Sequence, residues 1–227
     1  MSGLGRPRLH LREVGSALDV ARGLAIGGAP HGTLVTAGVQ TAGRGRQGRS
    51  WSAPAGQALL LALVVRNPDP LLSLRAGLAV ADLAGPAARV KWPNDVLVGG
   101  RKVAGVLVEG RPQEGWAIAG IGVNAALDLD ALPPELRDSA GTLGLEPRRL
   151  DEALRQLLDA LAVRLEESPP HTLRALRDRD ALLDAPIRWN GGSGTGAGIT
   201  DDGALRVRSA GGGELLLQSG EVHLEGM

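Results

Sequence analysis

The chain contains no cysteine, which excludes disulfides, thiolate nucleophiles and cysteine-ligated zinc together and is consistent with a reducing, cytoplasmic setting. Phenylalanine and tyrosine are also missing, so any aromatic stacking falls to Trp51, Trp92, Trp116 and Trp189. Neither charge is in excess: 25 basic side chains balance 25 acidic ones. No global field therefore recruits nucleic acid or an acidic membrane, and an anion would have to be held by a local site. The longest apolar run, Ala58 to Val65, has eight residues, against about 20 needed to span a bilayer. Met1 to Arg12 lacks the apolar core of a signal peptide. Neither a nucleic acid nor a membrane is expected as a partner. The most informative scarcity is lysine: among the 25 basic residues only Lys91 and Lys102 are lysines, and they lie close together. A bias that writes arginine almost everywhere would spare a position that needs a compact ammonium rather than a planar fork.

What is present reads as a folded chain. With 227 residues, 43% hydrophobic and 22% charged, it is long enough for one substantial core plus a small module, and its composition is not that of a disordered protein. Leu9 to Val14 alternates as a strand, and Ser16 with Asp19 has the spacing of a capping pair opening a helix to about Ile26. Strands are expected at Thr33 to Val39, Ala58 to Val65, Arg89 to Trp92, Val96 to Val98, Lys102 to Glu109 and Trp116 to Val123, with Gly99-Gly100 as a hairpin turn. Helical spacing predicts Leu71 to Leu83, Leu150 to Leu165 and Thr172 to Leu183. From Ala185 short strands separated by glycine suggest a small β-barrel, with Ile187 to Trp189, Gly198 to Ile199, Ala204 to Val207, Glu214 to Gln218 and Glu221 to Leu224 as its strands. The pattern predicts a mixed sheet with helices on one face.

Four segments carry chemistry. Gly43-Arg44-Gly45-Arg46-Gln47-Gly48-Arg49-Ser50-Trp51 combines glycines that expose backbone amides with arginines that offer forked donors, an anion-binding loop. Its glycines also satisfy G-x-G-x-x-G, but the following Ser52-Ala53-Pro54-Ala55-Gly56 cannot open the helix that a dinucleotide fingerprint requires. An arginine-glycine RNA segment would need basic net charge or interleaved aromatics, and has neither. In Lys91-Trp92-Pro93-Asn94-Asp95 the proline fixes the backbone that presents an ammonium, an amide and a carboxylate; a solvated turn would explain the last three residues but not the lysine. Arg101-Lys102-Val103-Ala104-Gly105 places a cation before a strand whose small residues leave room for a flat ligand, and Gly120-Ile121-Gly122-Val123-Asn124 ends a strand in two glycines and an amide.

In their order and spacing, Gln40 to Trp51, Lys91 to Asp95, Lys102 to Glu109 and Gly120 to Asn124 closely resemble the biotin protein ligase family. The resemblance implies an α+β fold: a mixed, mostly antiparallel sheet packed with helices, of the class II synthetase type, over residues 1–183. A small C-terminal SH3-like β domain over residues 184–227 is matched in position and texture only. It implies an enzyme that joins biotin to ATP as biotinyl-5'-AMP, with Mg2+, and passes the biotin to a lysine of a biotin carboxyl carrier protein, a subunit of an acyl-CoA carboxylase. The enzyme would act as a monomer or homodimer.

By the same resemblance Lys102, Arg46 and Arg44 would be catalytic. Ser16, Gln40, Arg44, Gly45, Arg46, Lys102 and Gly105 would surround biotin, and Arg46, Arg49, Trp51, Lys91, Asn94 and Asn124 the nucleotide, with Asp95 assisting magnesium. The loop's glycines and mutually repelling arginines suggest a segment that an anion would order. The family often carries Ser-Thr-Asn where this chain has Ser16-Ala17-Leu18, which implies weaker biotin binding, since each lost buried hydrogen bond costs about 1 kcal/mol. Only about 13 residues precede the first predicted active-site element, so the helix-turn-helix of the family's repressors is not expected. A lipoate or octanoate protein ligase or transferase and a catalytically silent biotin-binding protein are the alternatives.

Overall fold

The computed structural model describes residues 3–225. Its larger sheet has seven strands in the order β1-β2-β3-β7-β6-β5-β4. They are β1 (Arg8–Val14), β2 (Leu34–Gln40), β3 (Leu59–Arg66), β4 (Arg89–Lys91), β5 (Asp95–Val98), β6 (Arg101–Arg111) and β7 (Trp116–Val123). β1 and β2 are parallel and the other neighbours antiparallel. A parallel pair needs a crossover, and α1 (Ala17–Ile26) supplies it. Gly99 and Gly100, both at positive φ, make the tight turn between β5 and β6.

The apolar run of β3 lacks polar alternation, so both its faces have to be covered. Leu60, Ala62 and Val64 share one layer with Ala17, Leu18 and Ala21 of α1 and with Trp116 and Ile118 of β7. Leu59, Leu61, Leu63 and Val65 share the other with α2 (Leu72–Ala84), α4 (Leu150–Glu166) and α5 (Pro169–Asp178). Helices therefore flank the sheet on both sides, which corrects the one-sided arrangement expected from the pattern. α3 (Pro134–Arg137) is a single exposed turn.

The smaller sheet is antiparallel, in the order β11-β10-β9-β8-β12: β8 (Pro186–Trp189), β9 (Gly192–Ile199), β10 (Leu205–Ser209), β11 (Glu214–Leu217) and β12 (Val222–Leu224). Ile187, Ile199, Leu205, Val207 and Val222 continue the α2, α4 and α5 core layer. Two elements differ from their sequence reading. β9 starts at Gly192, not Gly198. Its glycines are there for close approach, because a Cβ on Gly194 would overlap the Arg208 carbonyl and one on Gly196 the Leu182 carbonyl. α5 ends at Asp178 rather than Leu183, because the chain then turns extended to pair with β4: Val90 N–H donates to Arg179 O (2.8 Å) and Ala181 N–H to Val90 O (3.0 Å).

Arginine fills a structural role here that lysine's single ammonium would fill poorly. Arg75 of α2 is 1% exposed, and its Nη1 donates to the carbonyls of Arg164 (2.5 Å) and Glu167 (2.9 Å) at the end of α4. These are carbonyls that a helix terminus leaves without partners. Its Nε lies 2.8 Å from Asp69 Oδ2, an ion pair without hydrogen-bond alignment. Replacing Arg75 by Met should lower unfolding free energy by about 2–4 kcal/mol, since it strands two carbonyls and unpairs Asp69. Urea denaturation measures this, and a loss under about 0.5 kcal/mol would show that the buried guanidinium is not what closes α4.

Candidate active site

α1 packs over β2, β3 and β7. Beyond it, β6 and β7 present glycine on the same face. Gly120 and Gly122 follow Trp116 and Ile118 in the two-residue rhythm of β7, and Gly105 of β6 lies opposite Gly122. Three residues without side chains sink the sheet surface and make the floor of a cavity of about 110 Å³. Ser16 and Leu18 at the start of α1 form one wall, and the segment Gln40 to Trp51 closes over the top. Trp51 lies flat on the Gly105–Gly122 pair: a Cβ on Gly122 would overlap its indole, and one on Gly105 would stand 3.1 Å from it. Lys102 Nζ is 5.4 Å from the same ring.

The loop is folded on itself. Trp51 N–H donates to Gly43 O (2.9 Å) and Gly45 N–H to Arg49 O (2.6 Å), around a turn in which Gln47 (φ 55°) and Gly48 (φ 75°) are left-handed. Its arginines, expected to repel one another into looseness, are each received elsewhere. Arg44 Nη2 is 2.8 Å from Asp19 Oδ1 and 3.1 Å from Glu109 Oε2. Arg46 donates to Asn94 Oδ1 and to the Gly220 carbonyl, both at 2.8 Å, and Arg49 pairs with Glu221. The last two contacts bring the approach to β12 against the catalytic-loop candidate. No motif in the sequence pointed to residues 220 and 221.

At the start of α1 the sequence reading is corrected in one respect. Ser16 does not cap the helix; Gln40 Oε1 accepts the Ala17 N–H instead (2.8 Å). Ser16 is 3% exposed and its Oγ has no hydrogen-bond partner, so a buried hydroxyl in the cavity wall keeps its full capacity for a ligand. Leu18, 5% exposed, reaches over Gly120, leaving Ser16 beside an apolar surface.

The Lys91–Asp95 turn forms the opposite rim. Asn94 Nδ2 donates to Asp95 Oδ1 (3.0 Å) and Val106 O (3.1 Å). Asp95 Oδ1 is 2.7 Å from Lys102 Nζ, and Oδ2 is 3.7 Å from Lys91 Nζ, so one carboxylate serves both lysines. Trp92 Nε1 donates to Gly203 O (3.0 Å), locking the turn onto the smaller sheet. Burial lowers the Lys91 pKa from its ordinary value and Lys102 adds to that, while Asp95 opposes it.

Of the residues singled out from the sequence, the structure gathers Ser16, Gln40, Arg44, Gly45, Arg46, Arg49, Trp51, Asn94, Lys102 and Gly105 around the cavity. Lys91 and Asp95 stand behind Lys102. Asn124, expected beside the nucleotide, is instead buried and turned away, donating to Gly141 O (3.1 Å) and Lys102 O (3.4 Å). It fixes the backbone that carries Lys102. The apolar lining, Leu61, Val106, Leu107 and Ile121, went unassigned because such residues carry no signal beyond that of a strand core.

The fold is that of solved biotin protein ligases. The biotin protein ligase of Aquifex aeolicus in complex with biotin and ATP superposes with a TM-score of 0.79 at 26% identity, covering 97% of this chain and 99% of that one. Residues 20–125 match the biotin/lipoate A/B protein ligase family. The biotin–[acetyl-CoA-carboxylase] ligase of Paracoccus denitrificans is 36% identical over 227 residues, 88% of this chain and 92% of that protein. The bifunctional ligase/repressor BirA of Bacillus spizizenii is 38% identical over 152 residues. That match takes in 62% of this chain and about half, 47%, of the relative's length. The chain belongs to the biotin/lipoate A/B protein ligase family.

With two lysines in the chain, lysine-selective NMR gives two side-chain signals. Lys91 should titrate below the ordinary lysine range, and Asp95→Asn should lower it further by removing the group that opposes burial. An ordinary Lys91 titration, unmoved by Asp95→Asn, would refute this account of the rim.

Proposed function

We propose that the chain is an ATP-dependent biotin protein ligase. It joins the biotin carboxylate to the α-phosphate of ATP with release of pyrophosphate, and then yields the acyl group to a lysine amine of a biotin carboxyl carrier protein with release of AMP and a proton. The observation that carries this reading is the convergence of Lys102, Arg44, Arg46 and Arg49 on one cavity, in a chain whose relatives are named biotin–[acetyl-CoA-carboxylase] ligases. Two anions, a carboxylate and a phosphate, have to be brought together before the first bond forms, and preorganised cations facing the developing charge are usually the largest catalytic contribution.

Lys102, at the junction of rim and floor, is assigned to the carboxylate and the phosphate it attacks. Arg44 and Arg46 hold the adenylate under the loop, Arg49 orders the loop, and the Trp51 indole offers a flat apolar face to the ligand. Gly105 lets Trp51 and Lys102 sit close to the floor, and Ser16 is assigned to the biotin ring. Lys91 and Asn94 support the nucleotide side. The donors do not fit a resident divalent cation. No three His, Asp or Glu side chains converge among the described residues, and the Asp95 oxygens already face Lys102, Lys91 and Asn94. Magnesium in this reading is a companion of the nucleotide substrate, and Asp95 is reassigned from metal to lysine.

Transfer of labelled biotin to a carrier domain, dependent on ATP with magnesium, tests the reading, with octanoate and lipoate as competitors because Leu18 presents an apolar side chain beside Ser16 in the cavity wall. ATP-dependent incorporation of biotin in preference to both competitors is the expected result. A folded chain that binds biotin without releasing pyrophosphate from ATP would instead be a silent binder. Lys102→Ala should cut kcat/KM by about 100-fold or more, the scale of removing a transition-state donor. Arg46→Gly should let the adenylate escape, read as labelling of bystander lysines; retention would deny the loop its clamping role.

A further inference from the structure

Arg44 does not stand alone at the cavity rim. Four side chains from three elements close into a ring of alternating charge. Arg22 and Asp19 of α1 pair at 3.1 Å, and Asp19 pairs with Arg44 of the loop at 2.8 Å. Arg44 pairs with Glu109 of β6 at 3.1 Å, and Glu109 pairs back to Arg22. Each arginine touches both carboxylates and each carboxylate both arginines. A lone surface pair contributes little, but a closed network contributes more, because each member is held by two others and the entropy of fixing it is shared. The four side chains are between 27% and 53% exposed, so the ring lies at the surface, where salt can weaken it.

We infer that Glu109 and Asp19 are positioning residues that hold the adenylate loop over the cavity through Arg44, with Arg22 as the cation that keeps the two carboxylates side by side. Without Arg22, Asp19 and Glu109 would repel each other across Arg44. Without the carboxylates, Arg44 would lose both its ion pairs, and the loop's side-chain anchors would be Arg46 on Asn94 and Gly220 and Arg49 on Glu221. Asp19 also lies in the first turn of α1, where the helix terminus favours a negative charge, so the ring stays attached to the helix that supplies Ser16 to the same cavity. The consequence for binding is a loop ordered before its ligand arrives, which spares the bound state the cost of ordering glycine-rich backbone.

The consequence for turnover rests on the ligase reading; the loop's order does not, and the two can be tested apart. Trypsin cuts after Arg44, Arg46 and Arg49, so cleavage of the substrate-free protein reports the loop directly. Glu109→Gln should speed loop cleavage about five-fold, the equivalent of about 1 kcal/mol for one networked pair. Asp19→Asn with Glu109→Gln should speed it further, and Glu109→Asp should return it toward the wild type, with melting temperature and cleavage elsewhere unchanged. Raising salt should accelerate loop cleavage in the wild type and do little in the double variant, a comparison that holds even if one variant folds poorly. In the biotin assay Glu109→Gln should raise KM by the same factor while kcat changes less. Unchanged loop cleavage in the folded double variant, or equal salt response in both proteins, overturns the inference. Faster loop cleavage in the variants, beside a wild type that forms no biotinyl-adenylate, would sink the ligase reading and leave the ring's role standing.

Discussion

Cations gathered around one cavity repel one another: at 4 Å and an effective dielectric constant near 20, two like unit charges cost about 4 kcal/mol. The candidate site lives with that constraint by giving its rim cations acceptors brought from other parts of the chain. Asp95 stands between Lys91 and Lys102, the Asp19 and Glu109 carboxylates receive Arg44, and Asn94, the Gly220 carbonyl and Glu221 receive Arg46 and Arg49. The loop's shape and the placement of Lys102 follow from where those acceptors sit.

The second determinant is the absence of side chains. Gly105, Gly120 and Gly122 lie on one face of two hydrogen-bonded strands, and the room they leave seats Trp51 and Leu18, which line the cavity. A strand glycine usually weakens a sheet. Here the same strands gain from full pairing along their length and from the apolar layer beneath, so the concession is made where the sheet can absorb it.

Much of this was legible in the sequence, and what was not has identifiable reasons. Apolar runs, some alternating and one continuous, located the strands of the larger sheet to within about two residues, and the glycine, arginine and lysine motifs named most of the cavity's polar lining. The helices on both faces were hidden because an unbroken apolar run such as Leu59 to Val65 does not say how many sides are covered. The length of β9 was hidden because glycines required by close backbone approach look the same as glycines in a loop. Ser16 had the spacing of a cap, yet Gln40, distant in sequence, reached the helix first. Asn124 was placed at the ligand because its motif ends there, whereas its amide faces backward onto two carbonyls. Residues 220 and 221 were invisible because a carbonyl and a lone glutamate in a turn have no motif; their meaning comes from a contact across 174 positions of chain.

That long contact bears on how the protein is made. The larger sheet, α1 and the arginine loop are all encoded before residue 124, so a ribosome has delivered every polar group lining the cavity long before it reaches Gly220. Until it does, the loop has its near fastening and lacks its far one. A nascent or prematurely terminated chain would thus hold Arg44 but leave Arg49 without its carboxylate and Arg46 without its second acceptor, and the loop's full fastening coincides with the late arrival of β12 rather than with completion of the sheet that carries it.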